Sequence, residues 1–295
     1  MNLDRRDFFK GVLAALAVPR IRAQQAGGRL TDKIAVLDAG GANVLAFSGS
    51  DGVVLVDSGP PSSADKLKAT LGAKVQILFN THYHLDQTGN NETFAAAGAK
   101  IVAHERTRQW MSSDHWVQAE ERYEKARPKG ARPTETFLAT ASLKTGGEQI
   151  DCGYLTLAHT NGDIYVFFKN SNVLAVGDVG SPLRDPALDY FTGAWIGGRV
   201  DSMDTVLKVA DEQTRIVPAY GPVMTRGEFK VERDMMEELR ARLFKQVREG
   251  DGPEDMLEEG VLKGLPRTWK DPYKFLYDAC KGLWAHQDKL APDVV

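Results

Sequence analysis

Two histidines and an aspartate stand at alternate positions near the middle of the chain. His82, His84 and Asp86 directly follow an apolar, β-branched run at residues 75–79, which is typical of a buried strand. In an extended backbone, residues two apart project to the same side, so these side chains can converge on one point. Imidazole nitrogens and a carboxylate oxygen are ligands for a zinc-type ion. The helical zinc pair has His-x-x-x-His spacing, so the pattern here indicates ligands on a loop after a strand.

Two more ligand-type side chains follow predicted strands further along the chain. His159 comes after a run at residues 154–158, and Asp178 follows a hairpin predicted over residues 164–168 and 173–176. A lone His-x-His is compatible with an ordinary surface loop. Three separate strand ends that each carry ligand types are much harder to obtain by chance. The sequence therefore predicts one metal centre that is assembled from distant parts of the chain.

The elements that must position these residues begin with a β-hairpin pattern and continue as alternating strands and helices. Asp51-Gly52 between two apolar runs is a strong hairpin signal. Helices are predicted from a cap at Ser62 or Ser63 to residue 71, and over residues 90–97. Strands are predicted at residues 34–37, 44–48, 53–56, 75–79, 101–103, 148–150 and 154–158. This order favours a sheet with helices packed on it.

Two stretches outside this pattern are predicted to be helical. Residues 105–127 are charged and aromatic with helical spacing, and they form either a wall of a substrate pocket or ordinary core packing. His104 and His115 have no partner at ligand spacing, so we expect both to be structural or surface residues. Beyond residue 227, helices are predicted at 228–249, 253–262 and 271–285, and His286 there has no ligand-type neighbour.

The first 23 residues have the features of an export signal. Arg5-Arg6 and a nearby lysine precede a short apolar run and end at Ala23, a pattern that resembles the twin-arginine type. The apolar run is too short to span a bilayer, which needs about 20 residues. The alternatives are an amphipathic N-terminal helix or a membrane anchor. We expect the protein to be periplasmic or secreted, to engage the twin-arginine export machinery, and to have no stable membrane insertion after cleavage near Ala23.

Charge and cysteine content exclude some classes of protein. The first 23 residues carry a net charge of +3, so the rest of the chain carries −6 against −3 for the whole. That acidic balance argues against a nucleic-acid partner. Cys152 and Cys280 are too few for a disulfide framework, and the sequence allows either two thiols or one bridge. It does not indicate the oligomeric state.

The order His-x-His-x-Asp, then a lone histidine after a strand, then Gly-Asp after the next hairpin resembles the metallo-β-lactamase superfamily of hydrolases. The resemblance extends from about residue 34 to residue 223. It implies an α/β fold, a four-layer αββα sandwich with metals at one edge. It also places Asp57 at the family's first motif, whose carboxylate supports the metal loop. The predicted organisation is a signal at 1–23, a metallo-β-lactamase-like domain at 24–227, and a helical extension at 228–295 that packs on it.

Carried over position by position, the resemblance assigns the first metal to His82, His84 and His159. It implies that Asp178 bridges to a second metal, which Asp86 binds. The chain departs from the family at two positions. Gln87 follows Asp86 where the family usually has histidine, and Tyr220 stands where the last family histidine is expected.

These departures weaken the implied second site. A glutamine amide oxygen is a neutral, weaker donor for zinc, and a tyrosine hydroxyl binds well only as phenolate, with an ordinary pKa of about 10. We therefore predict one tightly bound zinc ion and a second site that is weak, empty or selective for a harder metal.

The predicted function is an exported metal-dependent hydrolase that uses a zinc-bound hydroxide on a small ester, lactam, lactone or related substrate. Asp86 is predicted to accept a proton from the attacking water, and Tyr220 to donate a hydrogen bond to the developing oxyanion. The first alternative is a metal-binding or redox-relay periplasmic protein of the same fold with little or no hydrolytic activity. The second is a purely structural secreted protein.

Overall fold

Two β-sheets lie face to face at the centre of the protein. The computed structural model describes residues 28–117 and 122–286, so the predicted signal at residues 1–23 lies outside the described residues. The first sheet has seven strands in the order β1-β2-β3-β4-β5-β6-β9, and the second has five in the order β10-β11-β12-β13-β14. The strands are β1 (Gly28–Arg29), β2 (Ile34–Asp38), β3 (Asn43–Gly49), β4 (Gly52–Val56), β5 (Val75–Phe79), β6 (Lys100–His104), β7 (His115–Val117), β8 (Arg122–Glu124), β9 (Glu135–Phe137), β10 (Thr140–Thr145), β11 (Glu148–Tyr154), β12 (Ile164–Phe168), β13 (Val173–Gly177) and β14 (Arg215–Pro218).

Helices cover the outer faces of both sheets, which completes four αββα layers and confirms the predicted fold class. The inner core joins side chains from both sheets, such as Phe47 and Phe168. Outside the first sheet, Leu67 and Phe94 from helices pack on its outer face. Alternating faces of a strand supply these separate layers because side chains point to opposite sides of the sheet. The helices are α1 (Ala64–Leu71), α2 (Leu85–Thr88), α3 (Asn91–Ala96), α4 (Glu105–Ser112), α5 (Ile196–Val209), α6 (Arg226–Glu249), α7 (Pro253–Glu258) and α8 (Pro272–Ala285).

The C-terminal helices share one core with α5 and the second sheet. Val200 of α5, Met236 of α6 and Leu283 of α8 are buried in the same cluster as Leu174 of β13. The helix α6 begins with a complete capping box at Thr225, which stabilises its first turn. The proposed boundary at residue 227 stays a prediction.

Parallel strands bring the ends that matter for function to one edge. The strands β4, β5 and β6 are parallel in the first sheet, and β13 and β14 are parallel in the second. Asp57 directly follows β4, Asp178 directly follows β13, and Tyr220 lies just after β14. Because the carboxyl ends of parallel strands lie at the same edge, the fold gathers polar side chains there.

The predicted helix over residues 105–127 is wrong in its second half. The helix α4 ends at Ser112, and the strands β7 and β8 then form a separate antiparallel hairpin. The carboxylate of Asp114 accepts the Ala126 backbone N–H at 2.9 Å, which closes this hairpin instead of continuing a helix. The side chain of an aspartate competes well with helix for backbone donors.

Other boundaries also differ from the prediction. The predicted strands at 148–150 and 154–158 are one strand, β11, and the chain leaves it at Leu155. Leu157 has a φ of 53°, a left-handed conformation that does not continue a strand. Ser63 does not cap α1, because its hydroxyl donates to the Pro60 carbonyl at 2.8 Å. The helix α7 ends before residue 262, where Gly260 has a φ of 71°.

The structure gives the state of the two cysteines and the character of the described helices. Cys152 and Cys280 are both free and buried, and they lie in different cores. No helix within residues 28–117 and 122–286 combines the length and apolar character needed to cross a membrane.

Candidate metal centre

Three histidines meet at the sheet edge where the sequence predicts a metal centre. One nitrogen each from His82, His84 and His159 lies within 4.8 Å of the others. His84 Nδ1 and His159 Nε2 are 2.9 Å apart. His82 Nε2 is buried and has no hydrogen-bond partner in the described part of the chain. His82 Nε2, His84 Nδ1 and His159 Nε2 are therefore the nitrogens that face one another in the cluster.

The opposite nitrogen of each ring has an acceptor that fixes its proton. His159 Nδ1 lies 3.0 Å from the Ala187 carbonyl oxygen, which can only accept. His84 Nε2 lies 3.3 Å from a carboxylate oxygen of Asp189. His82 Nδ1 lies 3.0 Å from the Thr81 hydroxyl, whose own proton is donated to Asp57. In the neutral rings, each outward nitrogen therefore carries the proton, and each facing nitrogen presents a lone pair.

Three lone pairs that face one another fit a bound cation. Two unprotonated nitrogens at 2.9 Å repel unless a proton or a metal ion lies between them. Three imidazoles with their outward nitrogens hydrogen-bonded are the usual donor set of an open zinc site. His82, His84 and His159 could therefore hold a metal ion, as the sequence predicts.

Electrostatics at the cluster differ from ring to ring. Burial, followed by the charges of His159 and His84, holds the pKa of His82 well below its ordinary value. Burial also acts against a charged His84, but the hydrogen bond to Asp189 and the charges of Asp189, Asp86 and Asp178 raise its pKa to about 9. In the metal-free protein, His84 is therefore protonated at neutral pH, and the nearby carboxylates stabilise its positive charge.

The loop that carries His82 is held by a buried carboxylate. Asp57 accepts the Thr81 backbone N–H and the Thr81 hydroxyl, both at 2.8 Å. Asp57 has a φ of 62°, which is uncommon for a residue with a side chain and is often found at functional sites. Burial raises the pKa of Asp57 to about 8, although both hydrogen bonds oppose that rise. The chain from Asp57 through Thr81 to His82 thus fixes one ring.

Asp189 is a site residue that the sequence analysis missed. It accepts from the Tyr83 hydroxyl at 2.7 Å and lies beside His84 Nε2. Burial opposes its charged form, but the hydrogen bonds and charge of its neighbours, first His84, hold the pKa of Asp189 below its ordinary value. A carboxylate behind a ligating imidazole orients the ring and raises its basicity. The only signal in the sequence was an aspartate in the loop after Asp178.

Arg199 was missed as well, although it is a fully buried cation. Its guanidinium donates to the Val179 carbonyl and the Ser181 hydroxyl, each at 2.9 Å, and to the Ala187 carbonyl at 3.4 Å. Ala187 is the residue whose carbonyl faces His159. Arg199 therefore holds the loop between Asp178 and Asp189 against α5. An arginine within the apolar start of a helix was the signal available.

Asp178 lies at the mouth of the three-histidine cluster. Its Oδ2 is 3.6 Å from His82 Nε2 and 3.8 Å from His159 Nε2. Burial, together with the charge of Asp86, raises the pKa of Asp178 against the opposing charge of His159. A cation between these groups would favour the charged carboxylate.

The second-site residues are joined to one another. The Tyr220 hydroxyl donates to Asp86 Oδ2 at 2.5 Å, and burial together with the charge of Asp86 raises the pKa of Tyr220. A phenolate ligand is correspondingly disfavoured. Gln87 is fully buried, and its amide oxygen and nitrogen have no hydrogen-bond partner among the described residues.

The remaining histidines lie outside the cluster. His104 Nδ1 accepts the Arg106 N–H and its Nε2 faces the Leu138 carbonyl, while His286 stacks on Trp195. His115 packs against Tyr83 and Trp110. Among the aromatic residues of the loop after Asp178, Trp195 is buried and Phe191 is 46% exposed.

The chain belongs to the metallo-β-lactamase superfamily. The model of that family matches residues 37–261. A curated relative, the metallo-β-lactamase type 2 of Bacillus cereus, is 26% identical over 193 residues, which cover 63% of this chain and 69% of the relative. The 2,4-dinitroanisole O-demethylase subunit alpha of Nocardioides sp. (strain JS1661) is 25% identical over 220 residues, or 70% of this chain but only 60% of that protein.

Solved structures show the same fold at lower identity. A metallo-β-lactamase from Pontibacter korlensis superposes with a TM-score of 0.59 at 19% identity, covering 72% of this chain and 98% of the other. A double mutant of the sec-alkyl sulfatase PisA1 superposes with a TM-score of 0.64 at 13% identity, covering 90% of this chain and half of the other. These similarities establish the fold alone.

Proposed function

We propose that this protein is an exported hydrolase that holds one zinc ion at His82, His84 and His159 and acts on a small ester, lactam, lactone or related substrate. The convergence of three imidazole nitrogens within 4.8 Å carries the proposal. Membership of a superfamily of hydrolases and the fixed protons on the outward nitrogens support it.

Zinc in a three-histidine site lowers the pKa of a water ligand to about 7 and polarises a substrate carbonyl. The protein's own contribution in our proposal is to orient the three rings so that one nitrogen of each faces the centre, and to shield them partly from solvent. Asp57, Asp189 and the Ala187 carbonyl perform that orientation through hydrogen bonds.

Asp86 is the group that we assign to proton transfer. It is half-buried, and its Oδ2 already accepts the Tyr220 hydroxyl. A carboxylate that gains a proton accepts hydrogen bonds less strongly. As Asp86 takes a proton, the Tyr220 hydroxyl would become free to donate to negative charge that develops on the substrate oxygen. Asp178, at the mouth of the cluster, would complete the zinc site or orient the water.

The second metal site is weak or absent in this proposal. The hydrogen bond between Tyr220 and Asp86 uses the carboxylate that a second ion would need, and the raised pKa of Tyr220 disfavours phenolate ligation. Gln87 offers a neutral amide in place of an imidazole.

The related proteins leave the substrate class open. Their names describe a β-lactamase, an O-demethylase subunit and a sec-alkyl sulfatase, which act on different bonds. Our proposal of an exported protein, based on residues 1–23, favours a small-molecule substrate met outside the cytoplasm. The only macromolecular partner that we propose is the twin-arginine export machinery. We propose no nucleic-acid partner.

The alternative function is a metal-binding or redox-relay periplasmic protein with little hydrolytic activity. The replacement of two family imidazoles by Gln87 and Tyr220 favours it. Both functions predict a bound metal, so turnover separates them.

Metal analysis and a substrate panel test the proposal. Purified protein loaded with zinc should contain one tightly bound equivalent and should hydrolyse at least one member of a panel of chromogenic esters, lactams, lactones and phosphate or sulfate esters. Replacement of His286, which lies outside the cluster, should change neither result. Two tightly bound equivalents would contradict the single-metal site, and a zinc-loaded protein that is inert on the whole panel would favour the alternative.

A further inference from the structure

Ser181, three residues after Asp178, is bound from three distant parts of the chain. Its backbone N–H donates to Glu232 Oε1 at 2.8 Å, its hydroxyl accepts from Arg199 Nη2 at 2.9 Å, and its carbonyl accepts from Arg267 Nη2 at 2.7 Å. Arg199 belongs to α5, Glu232 belongs to α6, and Arg267 lies between α7 and α8. Each hydrogen-bonding group of this buried loop residue therefore has a charged partner.

Glu232, Arg199 and Arg267 form one buried group of charges, the Ser181 cluster. Arg267 Nη2 lies 3.4 Å from Glu232 Oε1, and Arg199 is fully buried. Glu232 Oε2, Arg199 Nε and Arg267 Nε have no hydrogen-bond partner among the described residues. Buried charges with incomplete pairing are often no more stabilising than apolar side chains of the same volume. Apolar side chains, however, could not fix the backbone of Ser181 through hydrogen bonds.

The loop that this cluster holds supplies two carboxylates to the metal centre. It begins at Asp178, whose Oδ2 lies 3.6 Å from His82 Nε2, and it ends at Asp189, whose carboxylate lies beside His84. The Ser181 hydroxyl donates to the Asp178 carbonyl at 3.3 Å, which joins the cluster to the first of these carboxylates. A shift of the loop backbone would therefore move both groups relative to the histidines.

The segment between α7 and α8 binds the same loop at two further points. Arg267 donates to the Arg184 carbonyl. The carboxylate of Asp185 accepts the backbone N–H groups of Lys270 and Asp271 at 2.9 and 2.8 Å. The C-terminal part of the described chain is thus attached to the middle of the loop that supplies the metal centre.

From these contacts we infer that Glu232, together with Arg199 and Arg267, is a positioning residue for the metal centre. It acts through the backbone of the loop from Asp178 to Asp189 and touches neither the metal nor the substrate. The inference rests on the proposed function for the bound metal, and it gives the helices after β14 a part in the site. Residues that support metal ligands usually change metal affinity by about 10- to 100-fold. Glu232 acts through one more residue, so we expect about 10-fold.

Cobalt binding reports the geometry of the centre, because the visible absorption bands of Co²⁺ depend on the number and arrangement of its ligands. Glu232→Ala removes the acceptor of the Ser181 N–H, and it should shift these bands and weaken Co²⁺ binding by about 10-fold in chelator competition. Glu232→Gln retains an amide oxygen at the same position, and it should restore part of both properties. Cobalt bands and affinity in Glu232→Ala that match those of wild type would overturn the inference.

Two other variants on α6 separate positioning from a general loss of stability. Arg233→Gln removes the neighbouring ion pair with Asp204 of α5, which lies outside the loop. Leu243→Ala leaves a cavity in the core further along the same helix and destabilises the fold. Both should retain the cobalt bands and affinity of wild type. Band shifts in Leu243→Ala as large as those in Glu232→Ala would assign Glu232 to stability alone.

Hydrogen exchange of the metal-free proteins separates this inference from the proposed function. The backbone amides of residues 179–189, measured relative to those of β11, should exchange faster in Glu232→Ala than in wild type or Leu243→Ala. Wild-type protein that bound neither Co²⁺ nor Zn²⁺ would overturn the proposed function, whereas faster loop exchange would still show that Glu232 positions the loop. Equal exchange in all three proteins would overturn the inference, whatever metal is bound.

Discussion

The three-histidine side of the centre and the side with Asp86 and Tyr220 differ in how their polar groups are paired. On the three-histidine side, each outward ring nitrogen has an acceptor, and the facing nitrogens of His82, His84 and His159 lie within 4.8 Å of one another. On the other side, Tyr220 and Asp86 are joined to each other and Arg184 lies over Tyr220. The first side could hold a metal ion, whereas the second already has the positive charge of Arg184 beside it.

Both sides of the centre lie on the same framework of strands. Asp178 directly follows β13 and Tyr220 lies just after β14, whereas Asp86 lies in α2, beyond the end of β5. A tyrosine proton and a guanidinium can neutralise part of the charge that a second ion would neutralise.

Removal of one imidazole should have the largest effect. His159→Ala should weaken zinc binding by at least about 100-fold, because an open site with two histidines lacks a complete donor set. Turnover should fall with it. Tyr220→Phe, on the other side, should keep one zinc equivalent. Zinc content after dialysis against a competing chelator checks both. An equal loss of zinc in the two variants would contradict the division into two sides.

Loss of the proposed proton acceptor should affect turnover and leave metal content intact. Asp86→Asn should lower kcat by about 10²- to 10⁴-fold, the usual contribution of a positioned general base. Zinc stoichiometry should stay at one. Undiminished turnover would remove Asp86 from the mechanism, and loss of zinc would make it a ligand of the first site.

The carboxylate behind His84 should have an intermediate effect on metal affinity. Asp189→Asn should weaken zinc binding by about 10- to 100-fold, because the amide no longer favours the tautomer whose Nδ1 faces the centre. Tyr83→Phe, which removes only the 2.7 Å hydrogen bond to Asp189, should have a smaller effect in the same direction. Chelator competition with cobalt or zinc measures both. A zinc affinity unchanged in Asp189→Asn would assign the carboxylate to loop structure alone.

The smallest expected effect is on the free energy of unfolding, and it is measured by comparing two buried amide side chains that are close in sequence. Gln87 and Asn91 are both fully buried, but Asn91 donates to Asn80 and to the Ala131 carbonyl and accepts from Ser58. Asn91→Leu should lower the free energy of unfolding by about 1–3 kcal/mol, since it leaves buried partners unpaired.

Gln87→Leu should change the same free energy by less than about 1 kcal/mol, because no described hydrogen bond is lost. Denaturant unfolding of metal-free protein measures both variants. A large loss in Gln87→Leu would show that its amide has a partner that matters, and the second side would then need a polar ligand there.

The sequence by itself determined the fold class and the three-histidine cluster. Strand runs that alternate or are wholly apolar predict a sheet, and ligand types directly after three of them predict convergence. His82, His84 and His159 could be named for that reason. The resemblance to the superfamily implied the four-layer αββα arrangement. The departures from the family pattern at Gln87 and Tyr220 were implied by the same resemblance and stay predictions.

Only the tertiary structure decided which groups support those ligands. Asp189 and Arg199 act through contacts with residues far away in sequence, and neither belongs to a spacing that predicts a role. The same is true of Arg184, which lies over the ring of Tyr220, 36 positions later in the chain. Local pattern specifies which face a side chain takes along a strand, whereas a hydrogen bond between loops depends on how the whole chain packs. The hairpin in the second half of residues 105–127 was missed because it depends on the hydrogen bond from the Ala126 N–H to Asp114, which helical spacing does not predict.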